Sequence, residues 1–153
     1  MNIDLDREIC EKYPKIFADR HAPMTETAMC WGLECGNGWY SLIDNLCRQI
    51  QNHIDWSYKN YQWTLEYNEK NPTQPREVRL PVPQVIAEQV KEKLGTLRFY
   101  YRGGDDYIDG LISMAESISG FICIGCGGRG EIKNHNGWLS NVCSDCEKQQ
   151  KDF

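Results

Sequence analysis

The sequence LGTLRFYYRGGDDYIDGLI, residues 94–112, changes its hydrophobic period at its centre. Its first part alternates between Leu97, Phe99 and Tyr101 on one side and Arg98, Tyr100 and Arg102 on the other. Such alternation predicts a half-buried strand. Gly103 and Gly104 then break the strand, and Asp105 and Asp106 stand where a helix favours its cap and first-turn acids. The helix that follows should end at Gly120, with a buried stripe of Ile108, Leu111, Ile112, Ala115 and either Ile118 or Ser119.

Residues 78–102 are open to two interpretations. Pro83 and Gly95 bracket a series of apolar residues and satisfy the start and stop rules for a helix. The same residues also fit two strands joined at Leu94-Gly95, so residues 84–94 can be read as helix or as strand. We predict the hairpin, because the second arm alternates clearly.

Two further helices are predicted upstream. Apolar residues at helical intervals, with acids at the front, indicate a short first helix that Pro14 ends. Residues 18–38 lack a period and contain Pro23 and three glycines, which favours a structured loop. From Trp39 to Ile54 the spacing is that of an amphipathic helix. We expect it to continue through the aromatic segment 56–67, although alternate aromatic residues there also fit a strand.

These elements predict an α+β fold, in which helices pack on a small antiparallel hairpin or sheet. At 153 residues, we expect an α+β domain over residues 1–120 and a zinc-ribbon-like unit over residues 121–153 packed on it. The predicted main core comprises Trp39, Leu42, Ile43, Leu46, Ile50, Leu97, Phe99, Ile108, Leu111 and Ile112.

Four C-terminal cysteines have the spacing of a zinc site. Cys123 and Cys126 form one CxxC pair, and Cys143 and Cys146 form a second pair after sixteen intervening residues. Glycines in the first turn let both sulfurs and the turn amides face one ion. Four thiolates complete a tetrahedron and leave no position for water. The pattern therefore predicts one structural Zn²⁺ per chain, as a ribbon or knuckle.

Other candidate sites are weaker. Cys30, Cys35 and Cys47, with His21 or His53, could form a second metal site, but their spacings match no chelating pair, and core packing is the favoured interpretation. In the zinc unit, Trp138 is expected to cover a small core and His135 to be solvated.

The chain offers little for catalysis. Asp105 and Asp106 could hold a divalent ion, but their place in the first turn of a helix explains them more simply. No phosphate-binding glycine loop, nucleophile elbow or paired-histidine motif is present in the sequence.

The charges are segregated along the chain. The net charge is −5, yet residues 76–104 carry six basic and three acidic side chains. Within that segment Arg98, Tyr100 and Arg102 share one strand face, and paired arginine donors with a flat phenol ring suit a small anionic ligand such as a nucleotide. The alternative is a solvated face whose arginines pair with Asp105, Asp106 or Glu92.

The N-terminus has neither the basic region nor the apolar run of a secretion signal, and no long apolar segment occurs. We therefore expect a soluble cytosolic protein without a membrane partner. In that compartment the eight cysteines are not expected to form disulfides.

Several blocks together resemble a group of small, uncharacterised tailed-phage and prophage proteins. They are CGNGWY (35–40), LID (42–44), QVKEKLGTLRFYY (89–101), MAES (114–117) and the paired cysteines around Gly137-Trp138. The resemblance runs from about Tyr13 to Cys146, and its most specific block is KEK(F/L)GTLRFYY, in which Leu94 replaces the expected Phe. It implies a phage origin and the cytoplasm of the infected host, and it supplies no catalytic residues.

Three classes of function remain. The favoured one is a zinc-binding phage accessory protein that sequesters a ligand or inhibits a host factor, such as one used in antiviral defence. The second is a metal-dependent nuclease or phosphodiesterase that uses Asp105, Asp106 and a histidine. The third is an accessory protein of transcription or replication that contacts nucleic acid, which the lack of a basic excess in the cysteine-rich segment disfavours.

Overall fold

The computed structural model describes residues 1–151 and confirms the α+β class. The elements in chain order are α1 (Ile3–Lys12), β1 (Leu33–Glu34), α2 (Tyr40–Lys70), β2 (Ile86–Lys93), β3 (Thr96–Arg102), α3 (Asp106–Ser119), β4 (Glu131–His135), β5 (Trp138–Val142) and α4 (Ser144–Lys151). Two short 3-10 turns, Ala28–Trp31 and Asn37–Trp39, interrupt the loop that precedes α2.

Helix α1 is short, as predicted. The Asn2 side chain accepts a hydrogen bond from the Leu5 amide at 2.9 Å and so caps the helix. Tyr13 follows at the C-terminal end, immediately before Pro14. Residues 18–38 form the expected loop, except for the two-residue strand β1 and the 3-10 turns.

Helix α2 runs for 31 residues and settles the choice between helix and strand for the aromatic segment. Its buried face comprises Ile43, Leu46, Cys47, Ile50, Ile54 and Thr64. Leu42, which was expected in the core, is half-buried at its edge. The tryptophans of the second half point to solvent.

Strands β2 and β3 form the predicted antiparallel hairpin, with Val90 opposite Phe99. The first arm begins at Ile86 rather than near residue 78. Pro81 and Pro83 lack an amide hydrogen for strand pairing, so residues 71–85 run back along α2 as an extended segment. The Leu94-Gly95 turn is correctly placed.

The sheet contains a parallel pair that was not predicted. Strand β1 pairs with β2 in parallel, Leu33 opposite Val90, which gives the strand order β1-β2-β3. A second, two-stranded sheet is formed by β4 and β5 in antiparallel register, with His135 opposite Trp138.

Helix α3 covers the edge of β3. The Asp105 side chain accepts a hydrogen bond from the Ile108 amide at 3.1 Å and caps the helix as expected. At the other end Ser119 is buried while Ile118 is 37% exposed, so Ser119 completes the inner stripe.

The predicted core is largely confirmed. Of the ten residues named from the sequence, eight are buried, and Leu42 and Leu111 lie half-buried against them. The same cluster extends to residues from α1, the loop and the segment before β2, which are Ile9, Ile16, Phe17, Met29, Leu33 and Val85.

Candidate metal centre

Two turns supply the four predicted cysteines. Cys123 and Cys126 lie in the turn that leaves α3, and Cys143 and Cys146 lie between the end of β5 and the first turn of α4. Pairing of β4 with β5 brings the second turn back to the first. Cys123 is buried and Cys126 is exposed, while the other two thiols are half-buried.

The four sulfur atoms lie within 4.8 Å of one another. The Cys126 and Cys143 sulfurs are 3.8 Å apart. A tetrahedral ion with metal–sulfur bonds of about 2.3 Å requires sulfur–sulfur distances of about 3.8 Å. The cluster therefore has the donor set and the size to hold a metal ion.

Backbone amides prepare the thiols for a positive ion. The Cys143 amide donates to the Cys123 sulfur at 3.2 Å, and the Cys146 amide donates to the Cys143 sulfur at 3.4 Å. Burial raises the pKa of the Cys123 thiol, but hydrogen bonds from the Cys126, Cys143 and Gly125 amides outweigh it and lower the pKa to about 6. Hydrogen bonding to the Cys143 and Cys126 sulfurs, followed by burial, raises the pKa of Cys146 to about 12.

Glycines allow the first turn to approach its neighbours. A Cβ at Gly125 would lie 3.1 Å from the Cys146 sulfur. Gly127 has a φ of 78°, and a Cβ there would lie 2.8 Å from the Gly38 carbonyl oxygen. The turn therefore needs small residues at both positions.

The cysteine turn is fixed to the start of α2. The Gly38 amide donates to the Ile124 carbonyl at 2.9 Å, and the Trp39 indole Nε1 donates to the Ile122 carbonyl at 2.8 Å. A Cβ at Gly36 or Gly38 would lie only 2.1 Å or 2.2 Å from a backbone carbonyl of this turn. The metal centre and the buried Trp39 thus share one tightly packed junction.

The expected role of Trp138 is wrong. Its side chain is 70% exposed, because it lies at the outer end of β5, directly after the Asn136-Gly137 turn. His135 is partly exposed, and its ring Nδ1 lies 4.0 Å from one carboxylate oxygen of Glu147. The other oxygen of Glu147 pairs with Lys133 at 2.6 Å.

The remaining candidate ligands do not gather into a second site. Within residues 1–151, only the four C-terminal cysteines form a close group of three or more side chains able to bind a metal. Cys47 is fully buried on the inner face of α2, and burial raises its pKa well above the ordinary value. Burial likewise raises the pKa of Cys35 to about 11.

Asp105 is engaged structurally. Besides capping α3, its second oxygen lies 2.8 Å from Nε2 of His53, and the Tyr107 ring packs on His53 with a centroid distance of 4.4 Å. This pairing joins α2 to the start of α3. It was not predicted, since residues 52 positions apart carry no local sequence signal.

Arg98, Tyr100 and Arg102 lie on the outer face of the hairpin, opposite the buried Leu97 and Phe99. Arg102 pairs with Asp19 at 2.7 Å and with Glu88 at 3.4 Å, which are not the acids expected from the sequence.

Around Tyr100 the same face carries additional charge. The Tyr100 side chain is 43% exposed, and the Lys91 ammonium lies 5.6 Å from its ring centroid. Lys91 also stands opposite Arg98 in the strand register. Sequence reasoning missed Lys91, although the hairpin register implied by the Leu94-Gly95 turn pairs these two positions.

No helix in the described part of the chain has both the length and the apolar character that a membrane crossing requires. Comparisons with protein families, with curated proteins and with solved structures found no match to this chain.

Proposed function

We propose that Cys123, Cys126, Cys143 and Cys146 hold one structural Zn²⁺ ion. The proposal rests on four thiol groups brought within 4.8 Å of one another by two CxxC turns. Thiolate ligands favour zinc, and a full set of four leaves no position at which substrate or water could bind. The ion therefore stabilises the fold and does not take part in a reaction.

The function that fits this arrangement is binding, in the manner of a phage accessory protein that acts on a ligand or a factor of the host cytoplasm. The resemblance to small phage proteins supports the phage origin. Host antiviral defence is one place where such a factor would act.

For the ligand, we propose a small anion such as a nucleotide on the outer face of the hairpin. Lys91 supplies positive charge beside the exposed Tyr100 ring, which offers a stacking surface. Arg98 lies opposite Lys91 in the register and adds a second positive charge to this face, although its guanidinium also donates to the Leu97 carbonyl at 2.7 Å. Arg102 is the least available of the three predicted residues, because Asp19 and Glu88 already offset its charge.

Elemental analysis tests the metal. Protein purified without chelators should contain one zinc ion per chain, and Cys126→Ser should remove it. The matched control is Cys30→Ser, since Cys30 is also a free thiol but lies in the loop before α2. Protein that contains no zinc, or a Cys126→Ser variant that keeps it, would contradict the proposal.

Calorimetric titration with linear and cyclic nucleotides tests the ligand site. Wild-type protein should bind at least one of them, and Arg98→Glu should abolish binding, with Lys91→Glu weakening it. Arg79→Glu is the control, because this exposed arginine lies in the extended segment away from the sheet. If no nucleotide binds, or if Arg98→Glu binds as wild type does, the site assignment is wrong.

Capture from lysates tests the host factor. Immobilised protein should retain the same partner from infected and uninfected host cells, identified by mass spectrometry and reproduced with purified components. A partner that the unfolded or metal-free chain retains equally well would count against a specific interaction.

A further inference from the structure

Residues 55–84 form an arm that lies outside the hydrophobic core. The arm comprises the second half of α2 and the extended segment that returns from it. Buried apolar side chains stop at Ile54 and resume at Val85, and between them Thr64 is the one buried residue. A helix gains most of its stability from an apolar face packed on other structure. Within this chain, the helix of the arm has little of that packing.

The returning segment lies mainly along one side of this helix. The Val82 amide donates to the Ser57 hydroxyl at 2.9 Å, and the Arg76 amide donates to the Asn68 side chain at 2.7 Å. Ser57 and Asn68 continue the core-facing side of α2. The opposite side is largely exposed, with 65% of Trp56 and 48% of Trp63 accessible. Its contacts with the rest of the chain include the Arg76 guanidinium, 4.8 Å from the Trp63 ring centroid, and a pair between Lys15 and Asp55 at 3.8 Å.

This exposed side carries a regular pattern of charge. Asp55, Lys59, Glu66 and Lys70 are separated by four, seven and four residues. At 100° per residue these four positions fall within about 60° of one another, on the side opposite the core. Trp56 and Trp63 flank this stripe along one edge.

When the stripe is laid against a second copy that runs in the opposite direction, each charge faces one of opposite sign. In two antiparallel arms related by an axis between Gln62 and Trp63, each Lys59 would face Glu66 of the second copy. Each Asp55 would face Lys70 of the second copy. A parallel arrangement in register would instead place like charges side by side.

We propose that two copies of this chain associate through their arms, antiparallel and related by a two-fold axis. A two-fold interface uses the same surface on both copies, so that surface must complement itself, as this stripe does. Trp56 and Trp63 supply apolar area beside the charges, and tryptophan is a frequent anchor in interfaces. The association covers the helix face that the monomer leaves largely exposed.

Sedimentation velocity on the metal-loaded full chain tests the association. Wild-type protein should sediment as a dimer whose population falls on dilution. Lys59→Glu alone and Glu66→Lys alone each place like charges opposite each other, and each should raise the dissociation constant at least about tenfold. Glu26→Lys, on an exposed loop residue, is the charge-matched control and should leave it unchanged.

Mixing the two single variants gives the decisive result. The Lys59→Glu chain then faces the Glu66→Lys chain with opposite charges at every contact, so the mixture should regain a dimer containing one of each. The double variant should also regain its dimer. Circular dichroism establishes that each variant is folded. A monomeric wild type, single variants that match the control, or a mixture that stays monomeric would each overturn the proposal.

Discussion

Leu94 has a backbone conformation that its side chain disfavours. Its φ is 56°, and Gly95 beside it has a φ of 81°. Two-residue hairpin turns of type I′ need positive φ at both positions, which is why Asn-Gly is common there. Leucine adopts this conformation at a cost of about 1 kcal/mol. The side chain is 59% exposed, so burial does not offset the cost.

Replacement of Leu94 by asparagine should therefore stabilise the protein. We expect the free energy of unfolding in urea to rise by about 1 kcal/mol for Leu94→Asn. Gly95→Ala should lower the free energy of unfolding. The alanine would have to adopt a positive φ, and its Cβ would lie 3.0 Å from the Ile132 side chain. An unchanged midpoint for Leu94→Asn would show that the turn has a different conformation.

Asp6 joins α1 to the loop before α2, and no sequence pattern indicated it. Its carboxylate accepts two hydrogen bonds from the Arg20 guanidinium, at 2.7 and 3.0 Å, and one from the Leu33 amide at 2.8 Å. Asp6 is 4% exposed. The contacts hold the loop that leads into β1.

Asp6→Ala should destabilise the protein by about 3 to 5 kcal/mol, because it leaves the Arg20 charge and the Leu33 amide unpaired in a buried place. Urea unfolding measures the loss. Asp4→Ala is the control, since Asp4 is exposed and its pair with Arg7 is long, at 3.7 Å. Equal effects of the two substitutions would contradict the assignment.

At the level of elements, α3 protects the open edge of the sheet. The Leu97 amide donates to the Ser119 hydroxyl at 2.8 Å, and the Phe99 amide donates to the Glu116 carboxylate at 2.9 Å. Both amides point away from β2, toward the outer edge of β3. Without these partners, that edge could pair with a strand of another chain. Side chains of a helix thus take the place of a fourth strand.

Ser119→Ala tests the protection of the sheet edge by α3. The buried Leu97 amide loses its acceptor, so we expect a loss of about 1 to 3 kcal/mol in stability and faster hydrogen exchange at Leu97. Ser117→Ala is the matched control, because Ser117 lies on the exposed side of α3. Exchange at Leu97 that is unaffected by Ser119→Ala would contradict the role assigned to Ser119.

The elements that depend on local pattern could be predicted, and those that depend on distant contacts could not. Helices α2 and α3 and the hairpin have clear periods, and the hairpin turn has its glycine. Strand β1 has two residues and exists only because β2 lies beside it. Strand β2 begins later than predicted. The segment before it has a strand-like composition, but its prolines cannot donate the hydrogen bonds of strand pairing.

On the scale of the whole molecule, loss of the proposed metal ion and unfolding of the hydrophobic core should occur together. Trp39 is fully buried, and its indole donates to Ile122 in the cysteine turn. Loss of the ion frees that turn and removes the partner of a core side chain. The stability of the metal site is therefore coupled to that of the α2 region.

Chelation of the metal should lower the melting temperature of the whole chain by at least about 10 °C, because metal binding contributes directly to folding free energy. Near-ultraviolet circular dichroism, which reports on buried aromatic packing, should change in the same transition. Readdition of zinc is the control and should restore both signals. Metal loss that leaves the melting transition unchanged would show that the metal centre and the core are not coupled in stability.

The candidate site could be predicted only as far as its ligands. Paired CxxC spacings identify Cys123, Cys126, Cys143 and Cys146 because chelation is a local geometry. The junction with α2 could not be predicted, since the role of Gly36 and Gly38 depends on carbonyl groups almost ninety residues away in the chain. Trp138 was misplaced because a large aromatic residue in a small unit suggests burial, whereas its position after a turn exposes it.

The parallel pairing of β1 with β2 has a consequence for the order of folding. Leu33 and Val90 can meet only after the whole of α2 and its returning segment have been accommodated between them. The hairpin and α3 are contiguous in the chain, so their contacts close short loops and should form early. We therefore expect the first strand in the sequence to be the last one added to the sheet, with refolding limited by that step.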